Sequence, residues 1–200
     1  LLISWKNQKE VIMNDLQSQQ IKKLIFGFIF IASLIVSFQV CANKITKITK
    51  QEIIQAQKAW GNGIVDIGKA YVEHKNYKKV AENVINNLYA YQLGHVLFKP
   101  TKVTKQQFRL SKEGAMSYFI GGNKNFPADH GFALHPWTKV KFENVGFFIY
   151  GNYAIAMGNY FFTPMRGKPV KVEYTFGYLK DKYGKLRINL QHSSLPYSAK

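Results

Sequence analysis

Leu186-Arg187-Ile188-Asn189-Leu190-Gln191-His192-Ser193-Ser194 alternates apolar and polar residues with the two-residue period of a β-strand. Strict alternation puts Leu186, Ile188, Leu190, His192 and Ser194 on one face and Arg187, Asn189, Gln191 and Ser193 on the other. The first set is apolar until its end, so alternation predicts that His192 and Ser194 share a concave interior with the leucines. Buried polar side chains need partners, and at a pocket mouth ligand or water can serve. The alternative is a pair of core polar residues satisfied within the protein.

Working back from this strand, Val170, Val172, Tyr174, Phe176 and Tyr178 alternate with Lys171, Glu173 and Thr175, which predicts an aromatic wall beside it. The chain from Trp137 onward reads as four strands, at 137–150, 153–163, 169–179 and 185–194. Gly151-Asn152 and Asp181-Lys182-Tyr183-Gly184 are turn signals between them. Before them, 121–136 holds Gly, Asn, Pro and Asp and predicts a long loop. Ser111 is placed to cap a short helix through Phe119, with Gly121-Gly122 ending it. Gln106 to Leu110 reads as extended, and His95 to Phe98 as a strand stopped by Pro100.

The first part of the domain has the helical period. Thr49-Lys50-Gln51-Glu52 is a capping box. Ile53, Trp60, Ile64, Ile67 and Tyr71 follow as one apolar stripe. Gly61, Gly63 and Gly68 weaken this helix but would let it lie close against a sheet. A second helix is predicted from Asn76 to Tyr89, with Val80, Val84 and Leu88 on one face. Helices followed by a run of antiparallel strands give an α+β domain.

Lys22-Lys23, an apolar run from Leu24 to about Phe38, and Val40-Cys41-Ala42 form the basic, apolar and small-residue regions of an export signal. The expected division is residues 1–42 as an upstream extension and cleavable signal, cut after Ala42, and 43–200 as a single domain. Met13 is a natural start, so Leu1 to Ile12 reads as upstream sequence. The expected destination is the periplasm or the medium, with no stable membrane association after cleavage. Cys41, the one cysteine, would leave with the signal. That removes cysteine-ligated zinc and cysteine nucleophiles from the mature domain.

The formal net charge is +17. The lysines are scattered in ones and twos and carry no recognised motif, which predicts a basic solvated surface and no nucleic-acid partner. His130 and His135 flank Gly131-Phe132-Ala133-Leu134, a spacing that matches no established ligand pattern. No metal and no other cofactor is expected. Ser193-Ser194 lack a glycine elbow, which argues against an α/β-hydrolase.

Several short motifs occur in order: Leu97-Phe98-Lys99-Pro100-Thr101, Gln107-Phe108-Arg109, Ser117-Tyr118-Phe119, Pro136-Trp137-Thr138-Lys139-Val140, Ala156-Met157-Gly158-Asn159-Tyr160, Val172 through Tyr178, and His192-Ser193-Ser194. As a set they resemble the bacterial relatives of the calcium/calmodulin-dependent kinase II association domain, which include the iota-class carbonic anhydrases. The wider group is the nuclear-transport-factor-2-like, or SnoaL-like, superfamily. The likeness covers residues 60–197. It implies a cone, with N-terminal helices packed on a strongly curved antiparallel sheet, and a homodimer. It also implies a metal-independent pocket for CO2 and bicarbonate. Matched motif by motif, its catalytic residues are Thr101, Tyr118, His192 and Ser194, with Tyr174, Phe176 and Ser193 expected to bind substrate. In this family a pair of His often precedes the two Ser, and here Gln191 takes the first place. Alternation turns Gln191 outward, so little consequence is expected. An acidic residue commonly precedes the loop Asp-His pair, and here it is Ala128. The competing expectation is a non-enzymatic ligand-binding or dimeric assembly module, because this fold supports many functions.

Overall fold

The computed structural model describes residues 13, 17, 19–23 and 47–198, the first seven of them helical. Residues 45–200 form one compact unit. Apart from Lys22 and Lys23, the expected signal and its cleavage site lie outside the described residues.

Helix α1 spans Lys50–Val72 and α2 spans Tyr77–Leu88. The capping box forms: Thr49 accepts from the Glu52 amide, and Glu52 accepts from the Thr49 amide at 2.7 Å. Glu52 also pairs with Lys180, whose ammonium is buried at 2.8 Å, which ties the start of α1 to the sheet. Ile53, Trp60, Ile64 and Ile67 are buried as their spacing predicts, whereas Tyr71 is exposed because the helix has run past the core. On α2 the buried residues are Ala81 and Ile85, one position on from the predicted Val80 and Val84. The α1 glycines serve three different neighbours. A Cβ on Gly61 would stand 3.1 Å from Val140 in the sheet, one on Gly63 would meet Val84 of α2 at 2.8 Å, and one on Gly68 would meet the Ala133 carbonyl at 2.8 Å.

Strand β1 is short, Leu97–Lys99, and Gln106 to Leu110 forms no strand, although the Arg109 amide bonds the Phe98 carbonyl. Helix α3 covers Lys112–Ile120, capped by Ser111 and stopped by Gly121 at φ 68°. The long loop contains a single 3-10 turn at Phe132–Leu134. Strands β2 (Trp137–Tyr150), β3 (Tyr153–Pro164), β4 (Val170–Lys180) and β5 (Leu186–Ser194) follow.

The five strands form one sheet in the order β1-β5-β4-β3-β2. All pairings are antiparallel except β1 with β5, which is parallel. Trp60 sits where α1 crosses the inner face. It meets Phe119, Phe142, Phe162 and Phe176 edge-on, at centroid distances of 5.6 to 6.5 Å. Such pairs add about 0.5–1.5 kcal/mol each beyond the area they bury.

One irregularity decides which side chains face that core. Gly177 pairs with Leu190, yet the next residue, Tyr178, pairs with Ile188, leaving Asn189 as an extra residue on β5. A bulge of one residue reverses the facing of everything beyond it. Ile188 is buried on one side of the bulge, and Gln191 and Ser193 are buried beyond it.

Candidate active site

The bulge overturns the facing expected for the end of β5. His192 is exposed and pairs with Thr175, and Ser194 pairs with Glu173 and donates to its carboxylate at 3.1 Å. Both line a groove on the outer face of the sheet with Val145 and Met157. Gln191 and Ser193, expected outside, point inward and are 2% and 1% exposed.

These two contribute to a small, closely packed pocket at the end of β5, too tight in this structure to admit a water molecule. The parallel pairing of β1 with β5 sets Lys99 opposite His192, which carries Pro100 and Thr101 over the cavity. The Lys99 ammonium also donates to the Ser193 carbonyl at 3.0 Å and fixes the strand end. Helix α3 supplies Tyr118, and β3 supplies Tyr160. Trp60, Phe98, Phe119 and Phe132 make the apolar wall. Thr101 and Tyr118 are therefore brought together as expected, Ser193 joins them against its predicted facing though in line with its expected substrate role, and His192 and Ser194 are not with them. Phe176 belongs to the core and touches Trp60, and Tyr174 hydrogen-bonds Asn144 at 2.5 Å, away from the cavity. Tyr160 and Gln191 are the polar residues that sequence reasoning missed. Tyr160 was legible in principle, since it lies at period two with Ala154, Ala156 and Phe162, all buried.

The hydrogen bonds of the cavity have a fixed polarity. The Trp60 indole can only donate, and it donates to the Tyr89 hydroxyl at 2.7 Å. Tyr89 in turn donates to Gln191 Oε1 at 2.5 Å. That leaves the Gln191 amide nitrogen as the donor toward Tyr160, which it approaches. The Tyr160 and Ser193 hydroxyls lie 2.5 Å apart. The Tyr118 hydroxyl is buried and has no hydrogen-bond partner among the described residues, its polar surroundings being Thr101 and the backbone of Thr101 and Lys102. An unpartnered buried hydroxyl costs about 1–3 kcal/mol; the Ser117 and Tyr178 hydroxyls and Asn189 Oδ1 share this state among the described residues, and of the four only Tyr118 lines the pocket.

Burial pushes the Tyr118 hydroxyl well above the usual tyrosine value and that of Tyr160 up to about 12. Both stay protonated near neutrality and offer hydrogen bonds. No carboxylate or imidazole lines the cavity. Among the described residues no three His, Cys, Asp or Glu side chains cluster to hold a metal ion.

A neighbouring cavity of about 460 Å³ shares Tyr118 and Phe132 with this one and is bounded by the 128–137 loop. Asp129 anchors that loop. Its carboxylate takes two bonds from the buried Arg109 guanidinium, at 2.6 and 3.1 Å. Arg109 also donates to the carbonyls of Gln106 and Phe108 and lies over the Phe126 ring.

Comparison with known proteins bears on the family. The metal-independent carbonic anhydrase family matches residues 51–195. A metal-independent carbonic anhydrase from Nostoc sp. (strain PCC 7120 / SAG 25.82 / UTEX 2576) is 48% identical over 153 residues, 75% of each chain. The crystal structure of the iota-carbonic anhydrase from a cyanobacterium, complexed with bicarbonate, superposes with a TM-score of 0.74 at 47% identity, over 76% of this chain and 95% of that one. By family match, identity and fold, the chain belongs to the metal-independent carbonic anhydrase family.

Proposed function

We propose that this chain catalyses the reversible hydration of CO2 to bicarbonate without a metal ion, in the cavity between Thr101, Tyr118, Tyr160, Gln191 and Ser193. The observation that carries this reading is the buried, unpartnered Tyr118 hydroxyl in a cavity of neutral donors walled by aromatics. The bicarbonate bound to the related cyanobacterial enzyme supports the substrate.

The chemistry follows from what these groups can do. The pocket is closely packed, so the reactants enter by parting its side chains; CO2 is apolar and suits the face made by Trp60, Phe98, Phe119 and Phe132. Water needs hydroxyls, and Thr101 and Ser193 supply them. Holding both reactants within a near-attack distance replaces a bimolecular encounter with an effectively unimolecular step. As the C–O bond forms, negative charge grows on the CO2 oxygens. Tyr118 and Tyr160 stay protonated and are placed to donate to that charge, and the Gln191 amide holds Tyr160 in place. Donors already fixed by the Trp60-Tyr89-Gln191 chain need little reorganisation during the step.

Tyr118→Phe removes one hydroxyl and almost no volume. In stopped-flow CO2 hydration with chelator-treated protein, the parent is expected to be active and Tyr118→Phe at least about tenfold slower, about 1.4 kcal/mol of barrier. A chelated parent with no activity, restored by one specific metal ion, overturns the metal-independent reading.

Two further expectations belong to the same reading. Exposed Val145, Phe148, Tyr150 and Met157 lie on β2 and β3. Apolar surface of this kind commonly marks an interface, which supports a homodimer, to be checked by light scattering. The basic-apolar-small pattern at 22–42 supports export, and mature protein is expected to begin at Asn43.

A further inference from the structure

CO2 + H2O gives HCO3⁻ + H⁺, so each turnover in the proposed direction must deliver one proton to the solvent. The inner cavity holds only hydroxyls and one amide as polar side chains, and none of these accepts a proton at neutral pH. The acceptor must lie nearby and outside.

Imidazole is the side chain suited to that task near neutrality. The chain has five His. His74 lies beyond the end of α1, His95 is exposed beside the Leu110 carbonyl, and His192 is on the outer face of the sheet. The remaining two, His130 and His135, both line the outer cavity that shares Tyr118 with the inner one. Their placement is built into the loop. His130 follows Asp129, which Arg109 clamps, and precedes Gly131 at φ 79°, where a Cβ would stand 2.8 Å from the Leu134 side chain. The His135 ring packs on Trp137 with centroids 4.5 Å apart. Three other ionisable residues besides Tyr118 face the same space. Lys102 is cationic, Asp129 is committed to Arg109, and Tyr71 sits at the rim.

We propose that the cavity beside Tyr118 is the proton outlet of the site, with His130 and His135 as the groups that take the proton and hand it to buffer. The inference rests on the carbonic anhydrase reading. In the hydration direction the proton leaves the attacking water, crosses at the Tyr118 and Thr101 side of the inner cavity, and reaches an imidazole nitrogen. Bicarbonate keeps the oxygen. In the reverse direction the same imidazolium returns it.

The test uses the full chain, the His130→Ala/His135→Ala double variant and the matching His→Gln pair, which keeps polarity and bulk without titrating. CO2 hydration is followed in dilute and concentrated buffer, and isotopic oxygen exchange between CO2 and water is measured at chemical equilibrium. The expected result is that kcat in dilute buffer falls about tenfold or more in both double variants. kcat/KM and the interconversion of CO2 with bicarbonate stay near the parent, and added imidazole restores most of kcat. Double variants as fast as the parent in dilute buffer overturn the outlet. So does a loss of kcat that imidazole fails to restore, since that points to a structural role. A parent that neither hydrates CO2 nor exchanges oxygen sinks the carbonic anhydrase reading itself, and the outlet with it.

Discussion

Ser193→Ala and Ser194→Ala differ by one residue and are expected to have opposite outcomes. The Ser193 hydroxyl is 1% exposed and lies 2.5 Å from Tyr160 Oη. Deleting it removes a water-holding group from the cavity and leaves Tyr160 with only Gln191 and Thr101 nearby. Loss of one hydroxyl that acts in the transition state is expected to slow stopped-flow CO2 hydration about tenfold, about 1.4 kcal/mol. A buried bond broken on one side costs about 1–3 kcal/mol of stability. For a domain of this size each kcal/mol lowers Tm by about 2–4 °C. Ser194 reaches only Glu173, at an exposed contact. Its alanine variant is expected to keep parental activity and to melt within about 0.5 kcal/mol of the parent. The two-serine comparison therefore reads the facing of β5 directly. An inactive Ser194→Ala beside an active Ser193→Ala would refute the bulge at Asn189 and restore strict alternation.

The buried Arg109–Asp129 pair holds the His130 loop, so Asp129→Ala, which strands a guanidinium that is 1% exposed, is expected to cost about 3–5 kcal/mol by chemical denaturation. Gly158→Ala would set a Cβ 2.1 Å from the Glu143 carbonyl, beside the register shift between Asn144 and Gly146 where β2 pairs with β3, and is expected to unfold at least about 10 °C lower in a thermal melt. Burial raises Tyr89 and Tyr178 far above the ordinary tyrosine value and Tyr160 up to about 12. Unfolded tyrosines ionise near pH ~10, so above that the native state retains protons that the unfolded chain gives up. Stability is then expected to be full below about pH 10 and to decline steadily above it, measured by urea titration at stepped pH.

Most of the fold could be read without coordinates, because long elements with a clean period leave little choice. Strand β2 fell on its predicted limits, Trp137–Tyr150, and the other long strands within a residue of theirs, since each is bounded by a turn signal or a proline. The site was harder, for a local reason. Parity along β5 holds only while each residue has one partner, and Asn189 has none in the ladder. The signal was present on the neighbouring strand. Gly177 interrupts an aromatic run, and a Cβ there would stand 2.8 Å from Asn189 Oδ1 and 2.9 Å from Leu190 Cβ. A glycine inside a strand is a mark of a bulge or a close approach. Thr101 and Tyr118 came from family likeness, because neither β1 nor α3 has a period long enough to point a side chain.

The order Trp60, Tyr89, Gln191, Tyr160 has a consequence for charge movement. A proton hops along hydrogen bonds only if each member can accept one and release another, and the Gln191 amide nitrogen that faces Tyr160 is a donor only. The chain is thus a wire cut at its first link. Charge arriving from the reaction stops at Gln191 and cannot drain past Tyr89 into the aromatic core. Whatever leaves the pocket is turned back toward Thr101 and the solvent, so the amide that holds Tyr160 also works as an insulator.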